Sequence, residues 1–224
     1  MTVDSGRMAP GTLVFFAGPM DSGKSTLALQ MAHTQSSHDR QGRLFTSQDR
    51  GGQAHITSRI GLERNAIEVD DEFNFLDYIR DEREQGRRID FLICDEAQFY
   101  TPAQIDQLAL AVDEWGVDVF CFGLMSDIRT ELFAGSKRLV EMADRVEMMP
   151  VRPLCWCGRL GTHTARVING VMVVDGPQVI VGDMDGGGAA ADQVKYQVLC
   201  RVHHRLRQAK PAGTTLSPAV LPFG

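Results

Sequence analysis

Residues 18 to 26 read Gly-Pro-Met-Asp-Ser-Gly-Lys-Ser-Thr, a G-x-x-x-x-G-K-[ST] run. It follows the apolar stretch Thr12-Leu13-Val14-Phe15-Phe16-Ala17 and leads into Leu27-Ala28-Leu29-Gln30-Met31-Ala32, which suits a helix. Strand, glycine-bracketed loop and helix in direct succession is the opening unit of a phosphate-binding α/β domain. Gly18 and Gly23 let the chain bend with no Cβ in the way. Backbone N–H groups of the loop and of the helix start then face one concavity that favours a polyphosphate. Lys24 is expected to set its ammonium on the β and γ phosphates of ATP, and Ser25 its hydroxyl on Mg²⁺. Ser22 and Thr26 complete the expected phosphate set. Asp21 adds a negative charge to this loop and is expected to point outward.

Apolar runs recur with helix-compatible segments between them. Strands are predicted at 12–17, 43–47, 89–94, 117–123 and 144–149, and helices at 24–36, 72–85, 102–114 and 135–142. Ile105, Leu108, Ala109 and Val112 share one helix face, and Thr101-Pro102 is a helix start. The alternation predicts an α/β fold: a P-loop parallel sheet flanked by helices. Ligands of such sheets sit beyond the carboxyl ends of the strands. The glycine loop, Asp95-Glu96 and Gly123-Leu124 all follow strands, so they converge on one edge. Within 48–71, the polar, glycine-rich run 48–53 reads as a mobile loop near the phosphates.

The pattern breaks after Pro150. Thr164–Ile168, Asn169-Gly170 and Val171–Val174 form a hairpin signal with a tight turn, and Val179-Ile180-Val181 reads as a third short strand. The Gly/Ala-rich run from Gly182 to Ala191 reads as a flexible loop. The expected organisation is an ATP-binding domain at 1–150, a small zinc-binding module at 151–209 and a disordered tail at 210–224.

With 43% hydrophobic and 23% charged residues, the composition is that of a soluble globular protein. No apolar run approaches the ~20 residues that span a bilayer, and the first ten residues lack the apolar core of a secretion signal, so a cytoplasmic location and no membrane partner are expected. A net charge of −6 disfavours a nucleic-acid partner, which needs clustered Lys and Arg. Cys94 and Cys121 lie inside apolar strands and read as small buried hydrophobes. Cys155-x-Cys157 and Cys200-x-x-His203 supply three thiolates and an imidazole, a tetrahedral zinc set spaced as in a zinc ribbon, with His204 as an alternative fourth ligand. Four protein ligands leave no open position, so the zinc is expected to be structural.

The strand Ile89–Cys94 ends in two acids. Asp95 is expected to organise Mg²⁺, and Glu96 is placed to accept a proton from an attacking hydroxyl or water. Gly18–Thr26 with Met20 inside the loop, then Asp95-Glu96-Ala97-Gln98-Phe99, then Gly123-Leu124, Glu131–Ser136 and the cysteine module, resemble the zinc-containing, cytosolic-type thymidine kinase family, bacterial branch. The resemblance spans about residues 12 to 206.

That resemblance implies a deoxynucleoside kinase passing the γ phosphate of ATP to the 5′-hydroxyl of deoxythymidine, with Glu96 as base. It places Met20, Gln98, Phe99, Leu124 and Phe133 at the nucleoside, with core packing as the competing reading for Leu124 and Phe133. Arg50 resembles an arginine of the family's mobile loop and Arg129 is a second phosphate candidate, with a plain surface arginine as its alternative; Asp49 matches the family's loop acid only loosely, because Gln48 stands where relatives carry it. The cysteine module resembles one carrying a lasso that closes over the base, with Thr164, Ile180, Val181, Gly182 and Tyr196 at the nucleoside. The stretch from Gly182 to Tyr196 is longer and richer in Gly and Ala than in the family. A homotetramer and feedback inhibition by thymidine triphosphate are also implied. Two other classes compete: a phosphate-loop GTPase, against which no Asn-Lys-x-Asp run is found, and a zinc-ribbon nucleic-acid ATPase, against which the charge stands.

Overall fold

The computed structural model describes residues 9–47, 54–176 and 194–211. In chain order the elements are β1 (Leu13–Ala17), α1 (Lys24–Ser37), β2 (Gly42–Thr46), β3 (His55–Thr57), β4 (Glu63–Asn65), β5 (Ile67–Glu68), α2 (Phe75–Glu84), β6 (Phe91–Cys94), α3 (Pro102–Trp115), β7 (Asp118–Gly123), α4 (Ala134–Met142), β8 (Arg145–Met148), β9 (His163–Ile168), β10 (Val171–Val173), β11 (Val194–Leu199) and α5 (Arg201–Arg205). A single 3-10 turn covers Ala97–Phe99. Two compact units result. One takes the chain up to Gly18, Ser22–Met125 and Leu132–Val151; the other takes Pro19–Asp21, Ser126–Glu131 and the chain from Arg152 on.

The first unit is the expected α/β sheet. Six strands lie in the order β5-β2-β6-β7-β1-β8, and every pairing is parallel. Its central strands are apolar on both faces, as a sheet covered by helices on both sides requires. The period of two then sorts them. Leu13, Phe15, Leu92, Cys94, Val119 and Cys121 join a core with Phe75 and Ile79 of α2, Ile105 and Leu108 of α3, and Leu139 of α4. Val14, Ile93, Phe120 and Phe122 join the opposite core with Ala28, Leu29 and Ala32 of α1. Cys94 and Cys121 are ladder neighbours and fully buried, as small hydrophobes. The rim strand β8 is Arg-Val-Glu-Met and mostly exposed, with charges that discourage further pairing.

Local chemistry sets the helix ends. Thr101 accepts from the Gln104 N–H while the Gln104 side chain accepts from the Thr101 N–H; Pro102 opens α3, and Gly116 closes it with φ 65°. Helix α2 begins at Phe75 rather than at 72, because the Asn74 side chain accepts from the N–H groups of Leu76 and Asp77 and fixes the start there. Within 48–71, residues 48–53 lie outside the described residues. The remainder is ordered structure, an antiparallel β3–β4 pair and β5 against β2.

The second unit holds a three-stranded antiparallel sheet in the order β10-β9-β11. Asn169 and Gly170 turn the β9–β10 hairpin with φ 51° and 84°, the left-handed pair such a turn needs. The predicted strand 179–181 lies outside the described residues. The third strand here is β11, which pairs along the other side of β9. Its core is small: Cys155, Ala165, Met172, Leu199 and Cys200, with Trp156, Val174 and Val202 at the margin.

Candidate active site and metal centre

In the first unit the predicted phosphate loop leaves the carboxyl end of β1. The Gly18 N–H donates to the Gly123 carbonyl (3.2 Å), tying this corner to the end of β7. A side chain at Gly18 would run into Ser22 and Met149, so only glycine lets the loop lie this close. Gly23, with φ 79°, caps α1. Lys24 is buried and its ammonium donates to the Gly18 carbonyl (3.3 Å), so the charge is held inside the loop's curve. Ser25 and Thr26 are half-buried at the helix start. The Ser22 hydroxyl is buried and has no hydrogen-bond partner among the described residues, so it is available as a donor. Asp21 is exposed, with φ 65°.

At the end of β6, Asp95 is only 3% exposed, and its N–H donates to the Phe45 carbonyl (2.8 Å). Burial, then the neighbouring Glu96 charge, push its carboxyl up to about 6, while hydrogen bonds from the Ser25 hydroxyl and the Glu96 N–H, and the Lys24 charge, pull the other way. A buried carboxylate facing a hydroxyl and an ammonium suits a divalent cation that carries phosphates. These side chains therefore fit Mg²⁺.

Glu96 sits one residue on, half-buried, with φ 53°, a left-handed conformation uncommon for glutamate. Its N–H donates to Asp95 Oδ1 (3.0 Å), and its carboxylate accepts from Gln98 Nε2 (2.5 Å). Gln98 is buried; Leu124 is half-buried at the end of β7. Phe99 packs edge-on against the buried Phe133, with ring centroids 5.6 Å apart. The first unit thus brings together Gly18, Ser22–Thr26, Asp95, Glu96, Gln98, Phe99, Leu124 and Phe133.

In the second unit Met20 is half-buried in the segment Pro19–Asp21. The Arg129 guanidinium donates to the carbonyls of Val174 (3.2 Å) and Gly176 (2.5 Å). Its phosphate role, expected from sequence, thus meets a guanidinium already engaged by main chain. Thr164 is buried on β9 and Tyr196 half-buried on β11, where it faces Arg166 across the ladder. Arg50, Asp49, Ile180, Val181 and Gly182 lie outside the described residues.

The candidate metal site is built by two turns. Gly158, at φ 81°, lets the chain reverse so that its N–H reaches the Cys155 carbonyl (2.8 Å). That reversal sets Cys155 and Cys157 on one side. Cys200 caps α5 and His203 lies on its first turn. The four ligand atoms lie within 4.8 Å of one another. His203 Nδ1 is 3.3 Å from Cys155 Sγ and 3.6 Å from Cys200 Sγ, and Cys157 Sγ is 3.9 Å from Cys200 Sγ. A tetrahedron with Zn–S of ~2.3 Å and Zn–N of ~2.0 Å has edges of roughly 3.5–3.8 Å, so the spacing fits zinc. His204, the alternative fourth ligand, lies outside this cluster, and its Nε2 bonds the Ile128 carbonyl (3.1 Å). The Ile128 bond, with those of Arg129, explains why Ser126–Glu131 belongs to this unit. Sequence spacing gave no sign of that anchoring.

Among the described residues no helix is long and apolar enough to cross a membrane. Comparison with known proteins gives a consistent family. A family model described as thymidine kinase matches residues 11–204. The chain is 57% identical over 212 residues to the thymidine kinase of Cutibacterium acnes, covering 94% of this chain and 96% of the relative. It is 51% identical over 212 residues to that of Streptomyces coelicolor, covering 94% and 97%. With the thymidine kinase of Haemophilus influenzae it shares 33% over 196 residues, covering 86% and 95%.

Proposed function

The chain belongs to the thymidine kinase family, and from that premise we propose that it moves the γ-phosphoryl group of ATP to the 5′-hydroxyl of deoxythymidine, giving thymidine monophosphate and ADP. The observation that carries the catalytic reading is the Glu96 carboxylate, fixed one residue from the buried Asp95–Ser25 pair. Glu96 takes the 5′-hydroxyl proton as that oxygen forms its bond to the γ phosphorus and the bond to the β–γ bridging oxygen breaks. Gly18, Ser22, Gly23, Lys24, Ser25 and Thr26 hold the phosphates through main-chain N–H groups, one ammonium and hydroxyls, with Arg50 and Arg129 as further cations. Ser25 and Asp95 would hold Mg²⁺, which would supply positive charge to neutralise the phosphates.

Phe99, Leu124 and Phe133 supply the apolar flank that a thymine ring and its methyl group need, and Gln98 lines the approach to the base. Met20, Thr164, Tyr196, Ile180, Val181 and Gly182 add the rest of the nucleoside site. Residues 1–150 act as the ATP-binding domain and 151–209 as a lasso module, stapled by structural zinc at Cys155, Cys157, Cys200 and His203 because its own core is too small. The proposed working form is a cytoplasmic homotetramer inhibited by thymidine triphosphate, with neither membrane nor nucleic acid as partner.

A transfer assay with radiolabelled nucleosides, Mg²⁺ and ATP tests this. Deoxythymidine is expected to be the preferred acceptor. Consumption of a different acceptor with deoxythymidine untouched rejects the substrate, and full turnover by Glu96→Gln rejects the base.

A further inference from the structure

Strands β6 and β7 run side by side, and their ladder stops at Cys94 and Cys121. Beyond it the two chain ends part, one toward Glu96 and the other toward Leu124. The buried Gln98 side chain joins them. Its Oε1 accepts from the Leu124 N–H at 3.0 Å, and its Nε2 donates to Glu96 Oε2 at 2.5 Å. A backbone N–H only donates, so the Leu124 contact fixes which end of the amide is oxygen and turns the NH₂ group toward Glu96.

The surroundings hold this bridge tightly. A Cβ at Gly123 would lie 2.7 Å from Gln98 Oε1 and 3.1 Å from the Gln98 main-chain nitrogen. A Cβ at Gly135 would lie 2.6 Å from the carbonyl oxygens of Ala97 and Tyr100 and 2.9 Å from that of Gln98. The end of β7 and the first turn of α4 therefore close on the 97–100 turn at main-chain distance. Leu124 is fixed at both polar groups, since its carbonyl accepts from the Ser136 hydroxyl at 2.5 Å. Glu96 itself sits in a left-handed conformation that the chain must be held to keep.

We propose that Gln98 is a positioning residue for phosphoryl transfer: its amide bridges the Leu124 N–H to the Glu96 carboxylate and fixes the base relative to the end of β7. The bridge explains why a polar side chain is buried here and why glycine faces it at 123. It rests on the reading of Glu96 as the base, and goes beyond it by giving Gln98 a task other than lining the nucleoside. Holding a reacting group to better than an ångström is worth up to about 100-fold in rate.

Three variants of the full chain test it, by steady-state kinetics and thermal unfolding. Gln98→Met keeps the volume and removes both hydrogen bonds. It is expected to lower kcat roughly 10- to 100-fold, by more than KM for deoxythymidine changes, with KM for ATP within about threefold. Gln98→Glu keeps the acceptor for Leu124 and sets a second carboxyl against Glu96. The introduced group can donate only while protonated, so activity should fall as pH rises, with an optimum on the acid side of the wild type's. Glu96→Gln should lose transfer while still binding nucleotide. If Gln98→Met retains kcat within twofold while Glu96→Gln is inactive, the bridge is overturned and the base stands. If Glu96→Gln turns over normally, the base assignment fails and the bridge with it. Should Gln98→Met fail to fold, the Gln98→Glu profile decides: an acid-shifted optimum supports the bridge and an unshifted one rejects it.

Discussion

Trp156 lies flat on His203, with ring centroids 4.1 Å apart and planes 13° from parallel. The indole N–H donates to the Gln208 carbonyl (3.2 Å), so the tryptophan is itself anchored and cannot swing away. One face of the imidazole is thereby fixed while Nδ1 points at the sulfurs of Cys155 and Cys200. Groups that orient a ligand in this way change metal affinity by about 10–100-fold. Trp156→Ala should release zinc to a competing chelator at correspondingly lower concentration. Cys157→Ala should lose the metal outright and destabilise the second unit. Full zinc content by elemental analysis in Cys157→Ala would reject the ligand set.

Asp95 gives a pH prediction. Its carboxyl is raised from 3.8 to about 6, chiefly by burial and next by Glu96. The folded chain therefore holds this proton more tightly than the unfolded chain does. The stability linked to it is fully present below pH about 4 and is lost as pH rises through about 6. Cation binding needs the ionised form, so the rise in Tm caused by Mg²⁺ with ATP should shrink as pH falls through about 6. Asp95→Asn should flatten the metal-free slope and abolish most of the Mg²⁺ response. A Mg²⁺-dependent shift in Asp95→Asn as large as in the wild type would remove Asp95 from the cation site.

How far the chain could be read depends on what each element buries. Strands such as Phe91–Cys94 are buried on both faces, so they stand out as unbroken apolar runs. Thr101-Pro102 and the Cys and His spacings are local chemistry and are equally visible. The β3–β4 pair is not, because Glu63, Arg64 and Asn65 are all exposed and only Ile56 on the other strand is buried. In β11 the alternation Val194-Lys195-Tyr196-Gln197-Val198 was a usable signal, masked by the Gly/Ala-rich stretch before it. Helix α2 starts late because the acids at 70–72 imitate a first turn while Asn74 makes the cap. The direction of the Gln98 amide depends on an N–H brought from another strand, which no local pattern encodes.

Gly135 offers a sharp test of the packing behind Glu96. The three oxygens that a Cβ there would meet, on Ala97, Gln98 and Tyr100, are all main chain and cannot rotate aside. Gly135→Ala must push α4 off the turn or deform the turn. Overpacking of this kind costs about 1–3 kcal/mol. Because the strained turn carries Glu96, kcat should drop as well, by more than the KM values change. Unfolding curves and kinetics check both, and an unchanged Tm would show that the turn is not clamped as described.

Glu82, on α2, accepts from Arg43 of β2, with Nε at 2.9 Å, and from Arg87 beyond the helix. The helix end is thus tied to the sheet by one carboxylate shared between two guanidinium groups. The Arg87 hydrogen bond first, then that from Arg43 and the charges of both, outweigh burial and hold the carboxyl at about 2, below its usual 4.5. The sign is opposite to that of Asp95. Here the unfolded chain binds the proton more tightly, so the stabilisation is complete above pH about 4.5 and is lost as pH falls toward about 2. Glu82→Gln keeps the size, removes the charge and leaves two arginines facing a neutral amide. At neutral pH it should cost about 1.5–3 kcal/mol, the range for hydrogen bonds to charged groups. The wild type and variant Tm values should draw together as the acid limb is descended from pH 4.5. A gap that stays constant from pH 7 down to pH 3 would mean that the charge of Glu82 contributes nothing and that only its shape matters.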